Sequence, residues 1–442
     1  MKTRLTQHPA VRAAFLYLGI VVAVLAVLLL LSGCTDTCNT TLTYTTYQPV
    51  FESMTTLRAQ VEVLPPQPRA GQGKIYSYGD YLLLGEPGVG IHVFNNADPA
   101  NPVALGFINI PGNYDMAVKG GLLYADSYVD LLVFNLANPQ NITFTSRLRD
   151  VFPNYNSQLG VGAVGDQVVT GFAELETIEV TRECSASTPD YIFMADNVLA
   201  VQAEAANSGG SNLGTAPLAG IGGSMSRFTI VGSYLYAVDD YMMHVFDLVS
   251  PENPADVNDI DLGWGIETIY PFKNNLFIGS RWGMVVYNID NPAMPEYMSE
   301  VQHITTCDPV VANENYAFVT LRSEDGNNTC GTAFVNQLDV IDVSDVANAT
   351  LLYSYPMASP YGLGLDGNIL FIAEGDAGLK VFDVSDVARI DRNLLQHLQG
   401  FNAYDVIPNQ GILILTGSDG LYQFDYTNLE DIRMLSLIPV TN

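Results

Sequence analysis

The sequence predicts an all-β protein, a β-propeller of seven or eight four-stranded blades with eight favoured, on three observations. First, a β-hairpin pattern recurs along the chain about every 40 residues, which is the spacing of propeller blades. Second, the 442 residues include 38 Gly, 23 Pro, 24 Tyr and 19 Phe, which suit tight turns and pleated strands. Third, helical periodicity is almost absent, so the strands must bury their faces against one another.

The hairpin is clearest at residues 368–386, NILFIAEGDAGLKVFDVSD. An apolar strand runs into an acidic turn that contains glycine, and a second strand follows and ends at Asp383. The pattern returns at residues 81–99, 122–139, 234–251, 276–292 and 412–426. A short apolar segment on each side of the hairpin brings the unit to four strands.

Eight units result when their starts are placed near Lys74, Tyr114, Leu159, Arg227, Ile266, Cys307, Tyr361 and Tyr404. The third unit begins well but dissolves after residue 180 into a stretch rich in Gly, Ser and Ala, residues 185–223. We interpret that stretch as an insertion or as a blade without its outer strands. A closed propeller then uses residues 73–442 as one domain.

Residues 1–33 have the organisation of an export signal. A basic start precedes an uncharged apolar run, and Leu31-Ser32-Gly33-Cys34 matches the bacterial lipobox, so Cys34 is the predicted site of lipid attachment after cleavage. The alternative is an uncleaved transmembrane anchor, since the run approaches the length of a membrane span. Both place the folded body at the cell envelope. By resemblance to enterobacterial sorting, Thr35 favours an outer-membrane lipoprotein that faces the periplasm or the cell surface.

A polar leader, residues 34–72, separates the signal from the first blade. It is rich in Thr and Pro and is long enough to hold the body away from the membrane. Its middle, VFESMTTLRAQVEV at residues 50–63, is apolar enough that we expect it to dock on the propeller as a short helix or strand.

The chain is strongly acidic, with 18 Lys and Arg against 47 Asp and Glu, a net charge of −29. Cleavage before Cys34 removes three basic residues and no acidic ones, which leaves 15 basic residues and a net charge of −32. This charge disfavours nucleic acid and anionic lipid surfaces as partners. It serves solubility, or it attracts cations or a basic partner surface.

Four cysteines remain beyond the lipidation site: Cys38, Cys184, Cys307 and Cys330. An even number in an oxidising compartment predicts disulfides. Cys307 and Cys330 bracket the sixth unit, where a bridge would pin an enlarged hairpin turn to the start of the first strand. Cys38 and Cys184 are then left by elimination. The CxxC and Cys/His spacings of metal sites are absent from the sequence.

The repeats resemble those of the LVIVD-repeat β-propeller proteins of bacterial envelopes. Their pattern of an apolar strand, an Asp or Asn and a turn that often ends in Pro occurs at residues 88–112, 131–139, 243–254, 284–295, 338–345 and 379–386. The resemblance implies a propeller and an exported location. It implies no settled activity, so no catalytic residue can be transferred from the family.

One face of a propeller gathers the hairpin turns and the connections between units. Here that face is predicted to carry Glu86, Tyr114, Asp126, Asp130, Asp239, Asp240, Trp264, Arg281, Trp282, His303, Tyr361, Glu374, Asp376, Tyr404 and Asp419. An acidic and aromatic rim suits the binding of sugars, cations or basic peptides. The plainer explanation is that propeller turns use Asp and Gly for backbone reasons.

Aligned starts of the first strands place one residue from each unit at the mouth of the central channel. These residues are Lys74, Asp115, Gly160, Arg227, Glu267, Asp308, Gly362 and Asp405. Facing carboxylates repel, so they need a cation, a proton or a basic neighbour. The ring is therefore a structural salt-bridge ring that uses Lys74 and Arg227, a site for a metal such as Ca²⁺, or the mouth of a ligand site.

Features of enzymes are few. His92 and His244 occupy equivalent positions in their units, which favours a packing role, and residues 220–226, GIGGSMS, are predicted to be a flexible loop. The sequence lacks a nucleophile elbow, HExxH, P-loop or Rossmann motif in a fitting context. The Asn or Asp that ends the third strand of nearly every unit serves the turn.

We therefore predict a non-enzymatic binding or scaffolding module, anchored by lipid to the membrane, with an envelope protein or a glycan as partner and no nucleic acid. The candidate binding residues are Asp115, Arg227, Glu267, Asp308, Asp405, Trp282 and His303. Two alternatives stay open. One is a propeller hydrolase or lyase that uses the mouth carboxylates and His303, and the other is a glycan-binding adhesin that uses Trp264, Trp282 and the tyrosines.

Overall fold

The computed structural model describes residues 17–22, 39–162, 164–183, 221–303, 309–322 and 335–441. All five cysteines, Asp308 and most of the predicted insertion at 185–223 lie outside the described residues, and so do the lipid and disulfide predictions. Residues 17–22 are helical. Among the helices in these ranges, none combines the length and the apolar character needed to cross a membrane.

The chain forms two compact units, residues 1–48 with 173–200 and residues 49–172 with 201–442. The first unit contains most of strand β1 (Asn39–Ser53). In that unit the β1 residue Thr46 donates its hydroxyl to the carbonyl of Glu176 at 3.0 Å. The second unit is the propeller with the docked middle of the leader.

That middle folds as helix α1 (Met54–Ala59) followed by strand β2 (Glu62–Leu64). The helix begins at Ser53, whose hydroxyl accepts the backbone N–H of Thr55. Its Met54 is buried in a small apolar cluster with Tyr128 of the second blade. The predicted docking of this part of the leader as a short helix or strand is confirmed.

Within the described residues, seven antiparallel sheets form the blades, each built on four consecutive strands. Blade 1 consists of β3 (Ile75–Tyr78), β4 (Tyr81–Glu86), β5 (Gly90–Asn95) and β6 (Val103–Asn109), and blade 2 consists of β7 (Met116–Lys119), β8 (Leu122–Ser127), β9 (Asp130–Asn135) and β10 (Thr143–Leu148). Three elements that belong to no four-strand repeat follow: α2 (Tyr155–Gln158), β11 (Gln167–Glu183) and β12 (Ile221–Gly222). Of these, β12 joins β2 in extending the sheet of blade 1 to six strands. Blade 3 then consists of β13 (Phe228–Val231), β14 (Tyr234–Val238), β15 (Met242–Asp247) and β16 (Ala255–Asp261).

Blade 4 consists of β17 (Ile266–Phe272), β18 (Asn275–Ser280), β19 (Gly283–Asn288) and β20 (Glu296–Gln302), and blade 5 consists of β21 (Val310–Ala312), β22 (Tyr316–Leu321), β23 (Gln337–Asp342) and β24 (Thr350–Pro356). Blade 6 consists of β25 (Leu363–Asp366), β26 (Ile369–Ala373), β27 (Leu379–Asp383) and β28 (Leu394–Leu398). Blade 7 consists of β29 (Asp405–Asn409), β30 (Ile412–Gly417), β31 (Gly420–Asp425) and β32 (Arg433–Pro439). Two 3-10 turns, Val346–Asn348 and Val387–Arg392, follow β23 and β27.

The blade count is seven, so the favoured count of eight is wrong. The segment taken as the third unit forms α2 and β11, and β11 pairs with β1 in a separate two-stranded sheet. The physical reason lies in residues 174–177, Glu-Leu-Glu-Thr, which are all exposed. A blade strand needs apolar residues on both faces because each face is covered by a neighbouring blade.

The middle strands of each blade show that requirement. In β8 and β9 nearly every residue is buried, including Tyr124 and Phe134 at 0% exposure. Their side chains join those of the first and third blades in one apolar cluster. The core therefore lies between the blades, in the layers where their sheets pack face to face.

The third strand of every blade ends in an Asn or Asp that accepts the N–H two residues further along. These residues are Asn95, Asn135, Asp247, Asn288, Asp342, Asp383 and Asp425. The predicted turn role is confirmed, since the same backbone bond recurs in all seven blades. A β-bulge between the third and fourth strands also recurs in each blade and increases the twist at its outer edge.

Residues 221–226 lie inside the ring of first strands, and we call them the channel segment. β12 pairs with β3 through Gly222 and Tyr76, on the inner side of blade 1. The hydroxyl of Ser224 accepts the N–H of Leu363 at 3.0 Å, which links the segment to blade 6. The prediction of a flexible loop here is wrong for these residues, because the inner strands satisfy their backbone and hydroxyl groups.

The ring closes where blade 7 packs on blade 1. Apolar side chains of both blades share one cluster. The side-chain amides of Asn96 and Gln423 exchange two hydrogen bonds of 2.8 and 2.7 Å across the junction. Arg69, just before blade 1, donates to the carbonyl of Ile438 in the last strand. Each terminal blade is built from consecutive strands, so the closure is held without a shared strand, by side chains and by the bond from the N–H of Thr441 to the carbonyl of Arg69.

Candidate functional site

The residues of greatest functional interest lie on the face where the first strands begin and the second strands end. Around the start of blade 4 they form what we call the tryptophan–arginine cluster, which consists of Arg227, Trp264, Glu267, Arg281, Trp282 and His303. It combines the start of blade 3, the connection into blade 4, the hairpin turn of blade 4 and the residue after its last strand.

Trp264 stands out from the surface, with 52% of its side chain exposed. It lies in the connection from β16 to β17 between Gly263 and Gly265, whose φ angles of +88° and +74° belong to glycine. The indole N–H of Trp282 donates to the carbonyl of Trp264 at 2.8 Å. The two tryptophans are the only ones in the chain, so both lie at this one place.

Two arginines flank the tryptophans. Arg281 pairs its Nε with Oε1 of Glu267 at 3.0 Å, and its backbone N–H donates to the carbonyl of Gly265 at 2.8 Å. The guanidinium of Arg227 reaches the carbonyls of Ile266 and Glu267, both at 3.4 Å. These two bonds are long, so Arg227 is weakly held at the surface of blade 4.

His303 completes the cluster through its backbone. Its N–H donates to the carbonyl of Trp282 at 3.2 Å, and this residue is half-buried. The bond fixes the end of β20 against the hairpin turn that carries Trp282. His303 therefore lies beside Trp282.

The channel mouth next to this cluster holds a buried ion pair. Nζ of Lys74 lies 3.2 Å from Oδ2 of Asp115 and donates to the carbonyl of Met225 in the channel segment at 2.6 Å. The same carboxylate accepts the backbone N–H of Arg227 through a short hydrogen bond and that of Met116 at 2.7 Å. Burial lowers the pKa of Lys74 even though Asp115 opposes this effect.

Asp405, at the start of blade 7, is fully buried. Its Oδ1 accepts the N–H of Val406 at 2.8 Å, while Oδ2 has no hydrogen-bond partner among the described residues. Burial raises the pKa of Asp405 to about 8, although the positive charge of Lys74 acts in the opposite direction. At neutral pH this side chain is therefore mostly a neutral acid.

The predicted binding residues thus fall into two neighbouring groups. Arg227, Glu267, Trp282 and His303 meet in the tryptophan–arginine cluster. Asp115 is joined to that cluster by the backbone of Arg227, and Asp405 lies apart from it under the channel mouth. Asp308 is outside the described residues. Gly160 is not at a blade start, because it lies between α2 and β11, which belong to no blade.

Much of the predicted acidic rim turns inward. The buried carboxylates of the hairpin turns bind basic side chains of their own blade, in the pairs Glu86 with His92 at 2.8 Å, Asp239 with His244 at 3.3 Å and Glu374 with Lys380 at 2.5 Å. Asp130 binds Arg58 of the leader and Arg147 of β10. These pairs stabilise the turns, which matches the packing role predicted for His92 and His244.

A metal centre was one of the three predictions for the mouth. Within the described ranges, no group of three or more His, Cys, Asp or Glu side chains is arranged to hold a metal ion. Asp115 is already bound by a lysine and by backbone N–H groups. The Ca²⁺ prediction also depended on Asp308, which is outside these ranges.

Sequence reasoning named Trp264 as a binding residue only in the glycan-binding alternative and did not include Arg281 among the binding residues. A signal was available, because Gly-Trp-Gly at 263–265 predicts an outward tryptophan and Arg-Trp at 281–282 forms the turn of the next hairpin. Those two turns lie beside each other because β17 pairs with β18 within blade 4. The packing of consecutive blades is what brings Arg227 of the preceding blade to the same place.

The fold defines a seven-bladed β-propeller. The model of the LVIVD repeat family matches residues 326–356 and 362–390, in the fifth and sixth blades. The chain therefore contains LVIVD repeats within a β-propeller, as the recurring strand and turn pattern predicted. No curated protein matches the sequence.

Several solved structures match the chain at low sequence identity. Sqt1 of Saccharomyces cerevisiae is 10% identical with a TM-score of 0.49, over 86% of this chain and 91% of that chain. The computationally designed protein Ika8 is 11% identical with a TM-score of 0.46, over 83% and 89%. A protein from Lactobacillus plantarum is 12% identical with a TM-score of 0.46, over 81% and 96%.

Proposed function

We propose that this protein is a non-enzymatic binding module that is held at the bacterial cell envelope by a lipid on Cys34 and captures its ligand with the tryptophan–arginine cluster. The ligand is an envelope protein or a glycan. The lipobox supports the anchor, and the LVIVD repeats support a binding or scaffolding propeller.

The observation that carries the binding function is the exposed Trp264 beside the half-buried Trp282. A half-exposed indole costs free energy in water and is stabilised when a ligand covers it. Tryptophan and arginine are the residue types that contribute most to binding energy at interfaces. Here both types occur together on one face, and Gly263 and Gly265 fix the exposed position of Trp264.

The mouth carboxylates support binding over the hydrolase or lyase alternative. A general acid or base must come within hydrogen-bond distance of its substrate. Asp115 is only 2% exposed and binds Lys74, and Asp405 has no exposed surface. Neither carboxylate can contact a substrate without a rearrangement of the channel mouth.

The binding function is tested by crosslinking the full-length protein in its own membranes and identifying what is captured by mass spectrometry. Wild type is expected to capture a partner in reproducible amount, and Trp264→Ala to lose it. Tyr297→Ala is the matched control, because Tyr297 lies on the outer strand of the same blade and is 51% exposed. Equal capture by wild type and Trp264→Ala would overturn the proposed site.

The glycan alternative rests on the same two indoles, since flat aromatic faces are suited to the C–H faces of sugars. Material captured in the same experiment is therefore also analysed for carbohydrate. Capture of glycan that depends on Trp282 would make the protein an adhesin. Unchanged glycan capture by Trp282→Phe and Trp282→Ala would remove that alternative.

The anchor is tested at Cys34. We expect the N-terminal peptide of the mature protein to begin at Cys34 and to carry the mass of attached lipid. Cys34→Ser should leave the signal uncleaved, and membrane separation by density should place the wild type in the outer membrane. An unlipidated wild-type peptide that retains residues 1–33 would establish the transmembrane anchor instead.

The proposed binding needs no cofactor. The remaining Ca²⁺ prediction is tested by comparing thermal unfolding of the purified protein with Ca²⁺ and with a chelator. A midpoint that does not change supports a mouth held by Lys74 and Asp115 alone. A rise of several degrees with Ca²⁺ would show a cation site that includes residues outside the described ranges.

A further inference from the structure

The tryptophan–arginine cluster differs in charge from the molecule that carries it. The whole chain has a net charge of −29. In the cluster, Arg227 and Arg281 face one carboxylate, that of Glu267, which pairs with Arg281 at 3.0 Å. Next to it, Lys74 and Asp115 neutralise each other. Among the six residues of the cluster the arginines outnumber the carboxylates by one, and Arg227 makes no ion pair with a described carboxylate.

Arg227 is suited to hold an anion. Its guanidinium bonds within the described chain are the two at 3.4 Å to backbone carbonyls, and neither involves a carboxylate. A guanidinium carries five N–H donors in a planar fork that matches a carboxylate in two-pronged geometry. The residue is partly exposed, so an anion can approach it from solvent.

The same place offers a flat apolar surface. Trp264 lies two residues before Ile266, whose carbonyl accepts from Arg227. The Arg281 side chain contacts Gly265, the residue that follows Trp264. Trp264, with its exposed indole, is therefore followed directly by the backbone that both arginines contact, and a ligand with a carboxylate and a carbon skeleton could reach the indole and the guanidinium groups together.

We propose that the tryptophan–arginine cluster binds a small ligand with a single carboxylate, which Arg227 and Arg281 hold while the carbon skeleton of the ligand packs on Trp264. This inference rests on the proposed binding function and adds the chemical class of the ligand. Two sources share that chemistry, an acidic sugar and the carboxyl terminus of a peptide. A polyanion is disfavoured, because the rest of the protein repels it.

The test uses the full-length protein in detergent and reads tryptophan fluorescence, which reports on this cluster alone because the chain has no other tryptophan. Two matched pairs of probes are titrated: glucuronate against glucose, and N-acetylphenylalanine against its amide. We expect at least one carboxylate to change the emission with saturation. Its neutral counterpart should bind at least tenfold more weakly.

Variants locate the carboxylate. Arg227→Gln and Arg281→Gln should each weaken binding about tenfold, as expected for loss of a charge-assisted hydrogen bond. Arg433→Gln is the control, since Arg433 is exposed on an outer strand and pairs with Asp431. Thermal unfolding of each variant separates lost binding from lost folding. If Arg227→Gln does not fold, Arg281→Gln still tests the inference, because the side chain of Arg281 lies at the surface.

The outcomes are distinct. Binding of glucuronate alone identifies the sugar source, and binding of N-acetylphenylalanine alone identifies the peptide source. Equal binding of acid and neutral probes, no response to any probe, or unchanged affinity in both folded arginine variants would overturn the inference. If Trp264→Ala still abolishes membrane capture in those cases, the proposed binding function stands and only the carboxylate assignment fails.

Discussion

At the scale of single residues, burial decides the charge state of the groups beneath the channel mouth. Asp405 shows this most directly, since its carboxyl group is fully buried and burial raises its pKa to about 8. In the unfolded chain the same group titrates near pH 4. Between these values the folded protein keeps a proton that the unfolded chain releases, so stability falls as the pH rises.

Asp405→Asn tests this effect. Wild type is expected to lose about 3 kcal/mol more stability than Asp405→Asn between pH 5 and pH 8, because each pH unit costs about 1.4 kcal/mol when one proton is released on unfolding. Denaturant unfolding at both pH values measures the difference. Parallel pH dependence of the two proteins would show that Asp405 ionises normally in the folded state.

His244 also stabilises the fold less as the pH rises, but here the protonated side chain is charged and is held by carboxylates. Burial acts to lower its pKa, but the carboxylates of Asp239 at 3.3 Å and Asp259 at 2.6 Å outweigh burial, and the pKa of His244 is raised. The charged imidazole therefore stabilises the fold fully below about pH 6.5, the unfolded value. That contribution is lost as the pH rises through the folded pKa.

His244→Gln should accordingly destabilise the protein by about 1–2 kcal/mol at pH 6 and by less at pH 9. Thermal unfolding at the two pH values is the measurement. His92→Gln is the control at the equivalent position of blade 1, where burial lowers the pKa of the histidine. An equal loss at both pH values would mean that His244 acts by packing only.

At the scale of elements, the leader is fixed to blade 2 by one arginine. Arg58 of α1 donates to both oxygens of Asp130 at 2.7 and 2.8 Å and to Asp150 at 2.8 Å. Asp130 has no exposed surface, and burial by itself would raise its pKa. Its bonds to Arg58 and Arg147 instead hold the pKa of Asp130 below the ordinary value.

Arg58→Met is expected to cost about 3 kcal/mol, because it leaves a buried carboxylate with a single basic partner. Amide hydrogen exchange should accelerate across α1 and β2 while the inner strands of blade 2 keep their protection. Arg389→Met, in an exposed pair with Asp386, should change neither property. Unchanged exchange in α1 after Arg58→Met would show that its apolar contacts suffice.

The elements also show how far sequence alone reaches. The hairpins were predictable because strands such as LLYAD and LLVFN are apolar at every position, which is the pattern of a blade strand covered on both faces. Residues 159–180 have the spacing of a blade and therefore predict an eighth one, but ELET within them lacks the apolar pattern of a blade strand. The tryptophan–arginine cluster needed three-dimensional information, since it joins turns from two units about 20 to 40 residues apart.

The channel segment was beyond prediction for a related reason. Glycine and serine in GIGGSMS predict a loop, and a loop is normally solvated. In the structure Gly222 lies so close to the ring of Tyr76 and the hydroxyl of Ser226 that an added Cβ would come within 3.1 and 2.5 Å of them. The glycine is there for close approach and not for mobility.

At the scale of the whole molecule, closure depends on the junction between blades 7 and 1. Gln423 is fully buried and exchanges its amide bonds with Asn96 while it also donates to the carbonyl of Pro99. Since no strand is shared across this junction, these polar bonds and the apolar cluster around them join the ends of the chain.

Gln423→Ala should therefore cost about 2 kcal/mol, because Asn96 loses both partners in a site that excludes water. Hydrogen exchange should rise in blades 1 and 7 together and leave blades 3 to 5 unchanged. Gln302→Ala, at an exposed position on β20, is the control. Faster exchange throughout all seven blades would show that the ring opens elsewhere or unfolds as one unit.

The channel segment also constrains the order in which the protein can be assembled. It follows blade 2 in the chain and precedes the five blades that complete the ring. A finished ring could accept it only by threading a loop through its centre, a route that proteins avoid. During synthesis the segment can instead settle on β3 of blade 1 first, and blade 6 then reaches it through the Leu363 N–H. The later blades would thus fold around a central segment that is already bound to blade 1.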